Sequence, residues 1–395
     1  MNVQLSDRVN QMETSATLAM AAKARELKSE GKDIISLSLG EPDFTIPNFI
    51  KEAAIKAVND DVHAYPPVDG YAELKKAIIH KFKRDNQLTY APDQIVVSTG
   101  AKQSLYNIAS VLLNPGDEVL LPAPYWVSYS DIVKLHGGVP VEIPTAIDTN
   151  FKITPQQLEA AITPQTKILL YSSPCNPSGS VYTKDELRAL ADVLQKYPNV
   201  IVISDEIYEH INFGGDHFSM AQFADMYDRT VVVNGVSKAF AMTGWRIGYI
   251  GGPAKIARAC NKMQGQITSG ANAIAQMATI AALEASPNEI DYMVKAFKER
   301  RELVLALLSE IPGLKTNRPQ GAFYVFPDVS SFFGQTIQGK LIANASDFSL
   351  LLLEKALVAT VTGEAFGDPN CIRLSYAASE EDIREAIKRV KEVLG

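Results

Sequence analysis

Apolar, β-branched runs recur through the middle of the chain, at 94–99 (QIVVST), 117–122 (DEVLLP), 139–143 (VPVEI), 167–172 (KILLYS), 200–204 (VIVIS), 230–234 (TVVVN) and 247–251 (IGYIG). Stretches with helical spacing separate most of them, at 101–113, 125–136, 184–196 and 254–263. Strands that are apolar throughout, rather than on alternate residues, are covered on both faces. Their alternation with helices therefore predicts an α/β fold with a mostly parallel sheet. Ahead of this rhythm, 15–30 reads as a helix capped by Gly31 and 33–40 (DIISLSLG) as a short strand. Amphipathic helices are predicted over 47–59 and 71–86, flanking the irregular stretch YPPVDG at 65–70. From about residue 290 the texture changes. A charged helix (290–310), a strand (321–329), a helix (346–355), a strand (371–377) and a last helix (379–394) predict a smaller α+β domain.

Composition narrows what such a fold can do. The chain has 395 residues, 46% of them hydrophobic and 21% charged, which fits a soluble globular protein of about two domains. A net charge of −7 without a long basic run argues against nucleic acid and anionic membrane surfaces as partners. The three cysteines, Cys175, Cys260 and Cys371, are widely spaced and include no CxxC pair. Neither a zinc ribbon nor a disulfide framework fits, and a reduced, cytoplasmic setting is expected. No signal-peptide core is visible at the N-terminus, and no run approaches the roughly 18 apolar residues of a membrane span. The five histidines show no HExxH or other ligand spacing, so no metal is expected. GQTIQGKL at 334–341 nearly matches a phosphate-binding P-loop, but Leu341 stands where Ser or Thr is needed, and a surface loop is expected.

Candidate chemistry gathers at predicted strand ends, where sheets of this type collect function. The run 167–172 leads into SPCNPSG with Asn176; 200–204 leads into Asp205, Glu206, Ile207 and Tyr208; 230–234 leads into Ser237 and Lys238, with Arg246 eight residues on. An aspartate closing an apolar strand is costly unless a cation or strong donor meets it, and the protonated ring nitrogen of a cofactor is such a partner. A partly buried lysine in a fixed pose is the usual source of Schiff-base chemistry, and an arginine nearby offers a planar cation for phosphate. Each residue alone has an ordinary explanation: a surface lysine, a helix-capping aspartate, a salt-bridged arginine. Asn176, Asp205, Tyr208, Lys238 and Arg246 together at one sheet edge point to a cofactor site.

The motifs SPCNPSG, SDEIYEH and SKAFAMTGWRIGY resemble the cofactor-binding motifs of the class I pyridoxal-phosphate aminotransferases, in that family's order and spacing. The resemblance spans essentially the whole chain, from LGEPDF through TGAKQ and PYWVSY to IRLSYA, and is nearest to bacterial aspartate aminotransferases of the thermophile-like subgroup. It implies a fold-type-I transferase with a seven-stranded sheet sandwiched by helices. A large cofactor domain would span 46–289, and a small domain would be built from 1–45 and 290–395. It further implies a homodimer with shared active sites, and cis peptides at Ala123-Pro124 and Asn176-Pro177.

The same resemblance implies residue roles. Lys238 would carry pyridoxal 5′-phosphate and then shuttle the substrate proton. Asp205 would pair with the ring nitrogen; Tyr208 and Asn176 would bond the ring's phenolic oxygen; Trp126 would stack on the ring. For the phosphate, Gly100, Ala101 and Lys102 follow a strand and open a helix, so free N–H groups face an anion, with Arg246 and Ser237 beside them. Tyr65 would reach it from the neighbouring subunit. Many relatives carry a second serine where Gly235 stands here, so one hydroxyl contact fewer is expected. Arg373 would clamp the substrate α-carboxylate, helped by Asn176, Trp126 and the backbone at Gly40. A second carboxylate would meet Lys102, Ser15 and Thr17. The expected reaction is ping-pong transamination of L-aspartate with 2-oxoglutarate, the partners being amino acids and 2-oxo acids. Alternatives are a broad-specificity aromatic or kynurenine-type aminotransferase, a carbon–sulfur β-lyase, or an aspartate/prephenate enzyme. Relatives that accept prephenate carry a basic residue where Glu13 stands, which argues against prephenate. A non-enzymatic regulator retaining the cofactor fold is the reading from a different class, and the complete set of catalytic residues opposes it.

Overall fold

The computed structural model describes residues 3–10, 12 and 16–395. All seven apolar runs form strands: β1 (Ile95–Ser98), β2 (Glu118–Pro122), β3 (Val139–Ile143), β4 (Thr166–Ser172), β5 (Ile201–Asp205), β6 (Thr230–Gly235) and β7 (Gly248–Gly251). They assemble into one sheet in the order β1-β7-β6-β5-β4-β2-β3. Strand β7 runs antiparallel to both of its neighbours, β1 and β6, and the other pairings are parallel. Side chains alternate across it, as the period-two geometry of a strand requires. Leu121, Leu170, Ile203 and Val233 meet the helices Ala101–Leu112, Ser128–Leu135 and Ala254–Gly265 on one face. Val97, Val232 and Tyr249 meet Asn48–Asn59, Ala72–Asn86 and Ala273–Glu284 on the other. Strand β3 alone keeps exposed positions, Val139 and Glu142, and it is the edge strand, where Pro140 is tolerated.

A second, three-stranded antiparallel sheet comprises β8 (Tyr324–Val325), β9 (Val361–Thr362) and β10 (Ile372–Ser375), in the order β9-β10-β8. Its apolar cluster draws on Ile35 and Leu37 together with Met293, Phe297, Leu374 and Ile387. Ile35–Ser36 pairs in parallel with Val358–Ala359, joining the two ends of the chain.

Several expectations shift. The strand expected over 321–329 shortens to Tyr324–Val325, because Ala322 adopts a left-handed φ of 56° and Pro327 cannot donate to a ladder. GQTIQGKL, expected as a loop, is a surface hairpin pairing Thr336–Ile337 with Lys340–Leu341, turned by Gln338 and Gly339, both at positive φ. Among the described residues three α-helices went unpredicted, the single turn Asp7–Asn10, Pro155–Ala161 and Ala273–Glu284. The last, AIAQMATIAALE, is buried and has no polar stripe to betray its period. Ala123-Pro124 and Asn176-Pro177 are cis as expected, and Ser173-Pro174 is cis as well.

Candidate active site

The carboxyl ends of β1, β2, β4, β5 and β6 point to one edge of the sheet. Because β7 runs the other way, Arg246, two residues before it, arrives at that same edge. There a cavity of about 360 Å³ opens, lined by Thr17, Gly40, Glu41, Lys102, Trp126, Tyr129, Asn176, Asp205, Tyr208, Ser237, Lys238, Arg246, Tyr324 and Arg373 among others. Four of its lining side chains are basic (Lys102, Lys238, Arg246, Arg373) and two are acidic (Glu41, Asp205). In a chain of net charge −7 this is a local positive focus, suited to anionic ligands.

Asp205 closes β5 almost fully buried, and burial pushes its carboxyl up to about 6. The strong donor that its position demands is Tyr129, whose hydroxyl donates to Oδ2 at 2.7 Å, while the Ile207 N–H donates to Oδ1 at 3.3 Å. Lys238 lies three residues past β6, and its ammonium donates to the Gly40 carbonyl at 2.6 Å. Burial, with the charges of Arg373 and Arg246 added and Glu41 opposing, brings the Lys238 amine down to about 8.

The turn at Gly100 is built around Arg246. Gly100 has φ +81°, and a side chain there would run into the Arg246 guanidinium. The helix Ala101–Leu112 begins at once, so its free N–H groups, Arg246 and Ser237 border the same wall of the cavity. Lys102 Nζ lies 4.9 Å over the Trp126 ring, and burial followed by the Arg246 charge lowers its pKa. On the far wall Arg373, 2% exposed, donates from Nη1 to Asn176 Oδ1 at 2.9 Å and from Nη2 to the Ser38 carbonyl at 2.7 Å. Its Nε is buried with no partner among the described residues, as is Thr17 Oγ1 at the same cavity. Unsatisfied buried polar atoms facing a cavity mark where a ligand completes the bonding.

Most predicted site residues therefore meet. Ser15 lies outside the described residues. Tyr65 is 97% exposed and does not line the cavity of its own chain. Asn176 is committed to Arg373 by its Oδ1, and the Gly40 carbonyl to Lys238. Gly235 is more than a lost hydroxyl: a Cβ there would lie 2.8 Å from the Ile247 carbonyl oxygen, so this backbone leaves a serine no room. Tyr129, Tyr324 and Ser172 were missed, since in PYWVSY, GAFYVF and KILLYS they read as core. The position of Tyr129, three residues after Trp126, was the available signal. Among the described residues, Glu206, Glu209 and His217 have metal-like spacing, yet Lys81 and Asn86 already hold Glu209, and His217, Ser204 and Ser219 hold Glu206.

A buried lysine of lowered pKa, a buried aspartate wanting a cation and a helix terminus with arginine for phosphate define an enzyme of the pyridoxal-phosphate type. The comparisons agree. Residues 32–390 match the family model for aminotransferase class I and II. An aspartate/prephenate aminotransferase of Nitrosomonas europaea is 49% identical, over 99% of this chain and 100% of its own. The aspartate aminotransferase of Bacillus sp. YM-2 is 46% identical, over 98% of each chain. Among solved structures, the aspartate aminotransferase of Rhizobium meliloti superposes with a TM-score of 0.96 at 43% identity, covering 100% of this chain and 99% of that one. That of Thermus thermophilus with maleate superposes at 0.94 and 42%, covering 100% of both. The chain belongs to the class I and II aminotransferases, and it is a transferase that works with pyridoxal phosphate.

Proposed function

We propose that this enzyme moves the amino group of L-aspartate to 2-oxoglutarate, giving oxaloacetate and L-glutamate in a ping-pong cycle. The observation that carries the reading is the count of cations at the cavity. Arg246 answers the phosphate, Arg373 the α-carboxylate, and Lys238 is engaged by the cofactor and the proton transfer. Lys102 remains, and a second carboxylate is the group that calls for it. Thr17, whose hydroxyl has no partner among the described residues, adds a donor, and Ser15 is its proposed companion. Relatives named for aspartate, and a similar structure described with the dicarboxylate maleate, support the same choice.

When bound, pyridoxal phosphate supplies an aldehyde that captures the amino group and a ring that accepts the electron pair left at the substrate α-carbon. The residues of the chain do the rest. Arg246, Ser237 and the N–H groups at Gly100, Ala101 and Lys102 hold the phosphate, joined by the partner subunit's Tyr65. Asp205, steadied by Tyr129, keeps the ring nitrogen protonated. Tyr208 and Asn176 would hydrogen-bond the ring oxygen, and Trp126 would stack on the ring. Arg373 fixes the α-carboxylate, and with it the bond to be broken. Lys238, titrating at about 8, is neutral in a useful fraction near neutral pH, so it can take the proton from the α-carbon and return it.

The large domain on this reading is 46–289, and the small domain of 1–45 and 290–395 closes over a dicarboxylate. The main apolar cluster of the second sheet, drawn from Ile35, Leu37 and residues 293–390 with Tyr208 and Ile211 reaching into it, supports the division. The exposure of Tyr65 supports a homodimer with shared sites, and three free cysteines support a cytoplasmic setting. Among the described residues no helix is long and apolar enough to cross a membrane.

The test is to mix cofactor-loaded protein with aspartate, tyrosine, kynurenine, alanine or prephenate plus an amino donor, and to follow the visible absorbance. Fastest loss of the band with aspartate supports the assignment. Faster loss with tyrosine or kynurenine keeps the aminotransferase and removes aspartate. Lys102→Ala should raise KM for aspartate about 10- to 100-fold, the loss of a hydrogen bond to a charged group, while KM for alanine stays within about threefold. Equal effects on both would take Lys102 out of substrate selection.

A further inference from the structure

We propose that Tyr324 is a positioning residue that sets how strongly Tyr208 donates its proton, and that it ties Tyr208 to the carboxylate clamp Arg373. The inference rests on the functional reading above, in which Tyr208 faces the cofactor ring oxygen.

Tyr324 is fully buried on β8, and its oxygen lies 2.7 Å from that of Tyr208. In register it faces Ser375 of β10, so on the shared sheet face it is the diagonal neighbour of Arg373. The Arg373 guanidinium accordingly sits 4.5 Å over the Tyr324 ring. The hydroxyl also rests against the α-carbon of Gly40, where any side chain would collide with it. The Gly40 carbonyl in turn holds Lys238 Nζ. One phenol thus touches Tyr208, Arg373 and the residue that seats the catalytic lysine.

Proton counting gives the contact a direction. Each phenol carries one proton, and either oxygen can be the donor across the 2.7 Å contact. With the one Tyr208 proton directed at the ring oxygen as a hydrogen bond, only the Tyr324 proton can keep the contact bonded. The result is a chain in which Tyr324 donates to Tyr208 and Tyr208 donates onward, and donors in series strengthen one another. Donation to the ring oxygen draws off the electron density that would otherwise help hold a proton on the Lys238 nitrogen. A stronger Tyr208 donor therefore lowers the pH at which the chromophore loses that proton.

The experiment is a pH titration of the visible band in cofactor-loaded wild type, Tyr324→Phe, Tyr208→Phe and the double variant, with Kd for succinate measured from the same band. Tyr324→Phe should raise the midpoint by about 0.4 pH unit, less than Tyr208→Phe does, in line with a cooperative share of one hydrogen bond. In the Tyr208→Phe background it should add nothing. Succinate affinity should change less than about threefold in Tyr324→Phe, which keeps the ring, and fall about 3- to 30-fold in Tyr324→Leu, which removes the surface under Arg373. An unmoved or lowered midpoint in Tyr324→Phe, or the same shift with and without Tyr208, overturns the inference alone. A wild-type protein with no visible band overturns the cofactor reading and this inference with it.

Discussion

Burial raises the Asp205 carboxyl to about 6 from an ordinary 3.8, even with Tyr129 donating to it. A carboxyl whose folded-state pKa is raised binds its proton more tightly in the native protein than in the unfolded chain. Its contribution to stability is present at low pH and is lost as pH climbs from about 4 through 6. In the cofactor-free protein, Asp205→Asn should thus raise Tm by a few degrees near pH 7.5 and by little at about pH 4.5. A rise of the same size at both values would show that the carboxylate pays no burial cost. On the proposed assignment a ring cation would meet Asp205 in the loaded enzyme, so the same substitution should loosen the cofactor. Asp205 was legible because a charge ending an apolar strand is out of place. Tyr129 and Tyr324 were not, because an aromatic residue in an apolar run is indistinguishable from core until its hydroxyl partner is known.

One turn, DEIYEH at 205–210, shows how an element can serve two sides at once. Asp205 and Tyr208 line the cavity, whereas Glu206 and Glu209 are buried among other polar groups. Glu206 accepts from Ser204 at 2.8 Å and Ser219 at 2.5 Å and pairs with His217 at 2.9 Å. Glu209 pairs with Lys81 of the helix Ala72–Asn86, which is itself fully buried, and accepts from Asn86 and Asn234 at 2.8 Å. Burial alone would push the Glu209 carboxyl up, but the charges of Lys81, His210 and His217 hold it well below the usual carboxylate range. Lys81→Met would leave that carboxylate buried without its ion-pair partner and should cost about 3–5 kcal/mol in denaturant unfolding. Adding Glu209→Gln should recover part of the loss. Failure of the second change to recover anything would mean that the two residues do not act as a pair. The motif was read from sequence for the two residues that face the ligand. The other half of it has meaning only through Lys81 and His217, which local spacing does not connect to it.

At the scale of the whole molecule the site joins both ends of the chain to its middle. Thr17 and Gly40 come from the N-terminal region, Arg373 and Tyr324 from the C-terminal sheet, and Lys238 and Asp205 from the central one. Tyr65 stands outside, 97% exposed, and completes the phosphate site only if a second copy supplies it. Tyr65→Phe should therefore speed cofactor loss about tenfold, the loss of one bond to a charged acceptor, while leaving unfolding unchanged. Cofactor retention as firm as in wild type would remove Tyr65 from the site. The seven strands, their burial and the gathering of polar residues at their ends were determined by sequence, because apolar runs of strand length and misplaced charges are local signals. Tertiary structure alone decided the antiparallel course of β7 that brings Arg246 to the edge. It also decided the phenol under Arg373, the partner of Asp205 and the pairing of Glu209 with Lys81. Each of these is a contact between segments far apart in the chain, chosen by packing and by the need to satisfy buried polar groups, and no spacing along the chain records it.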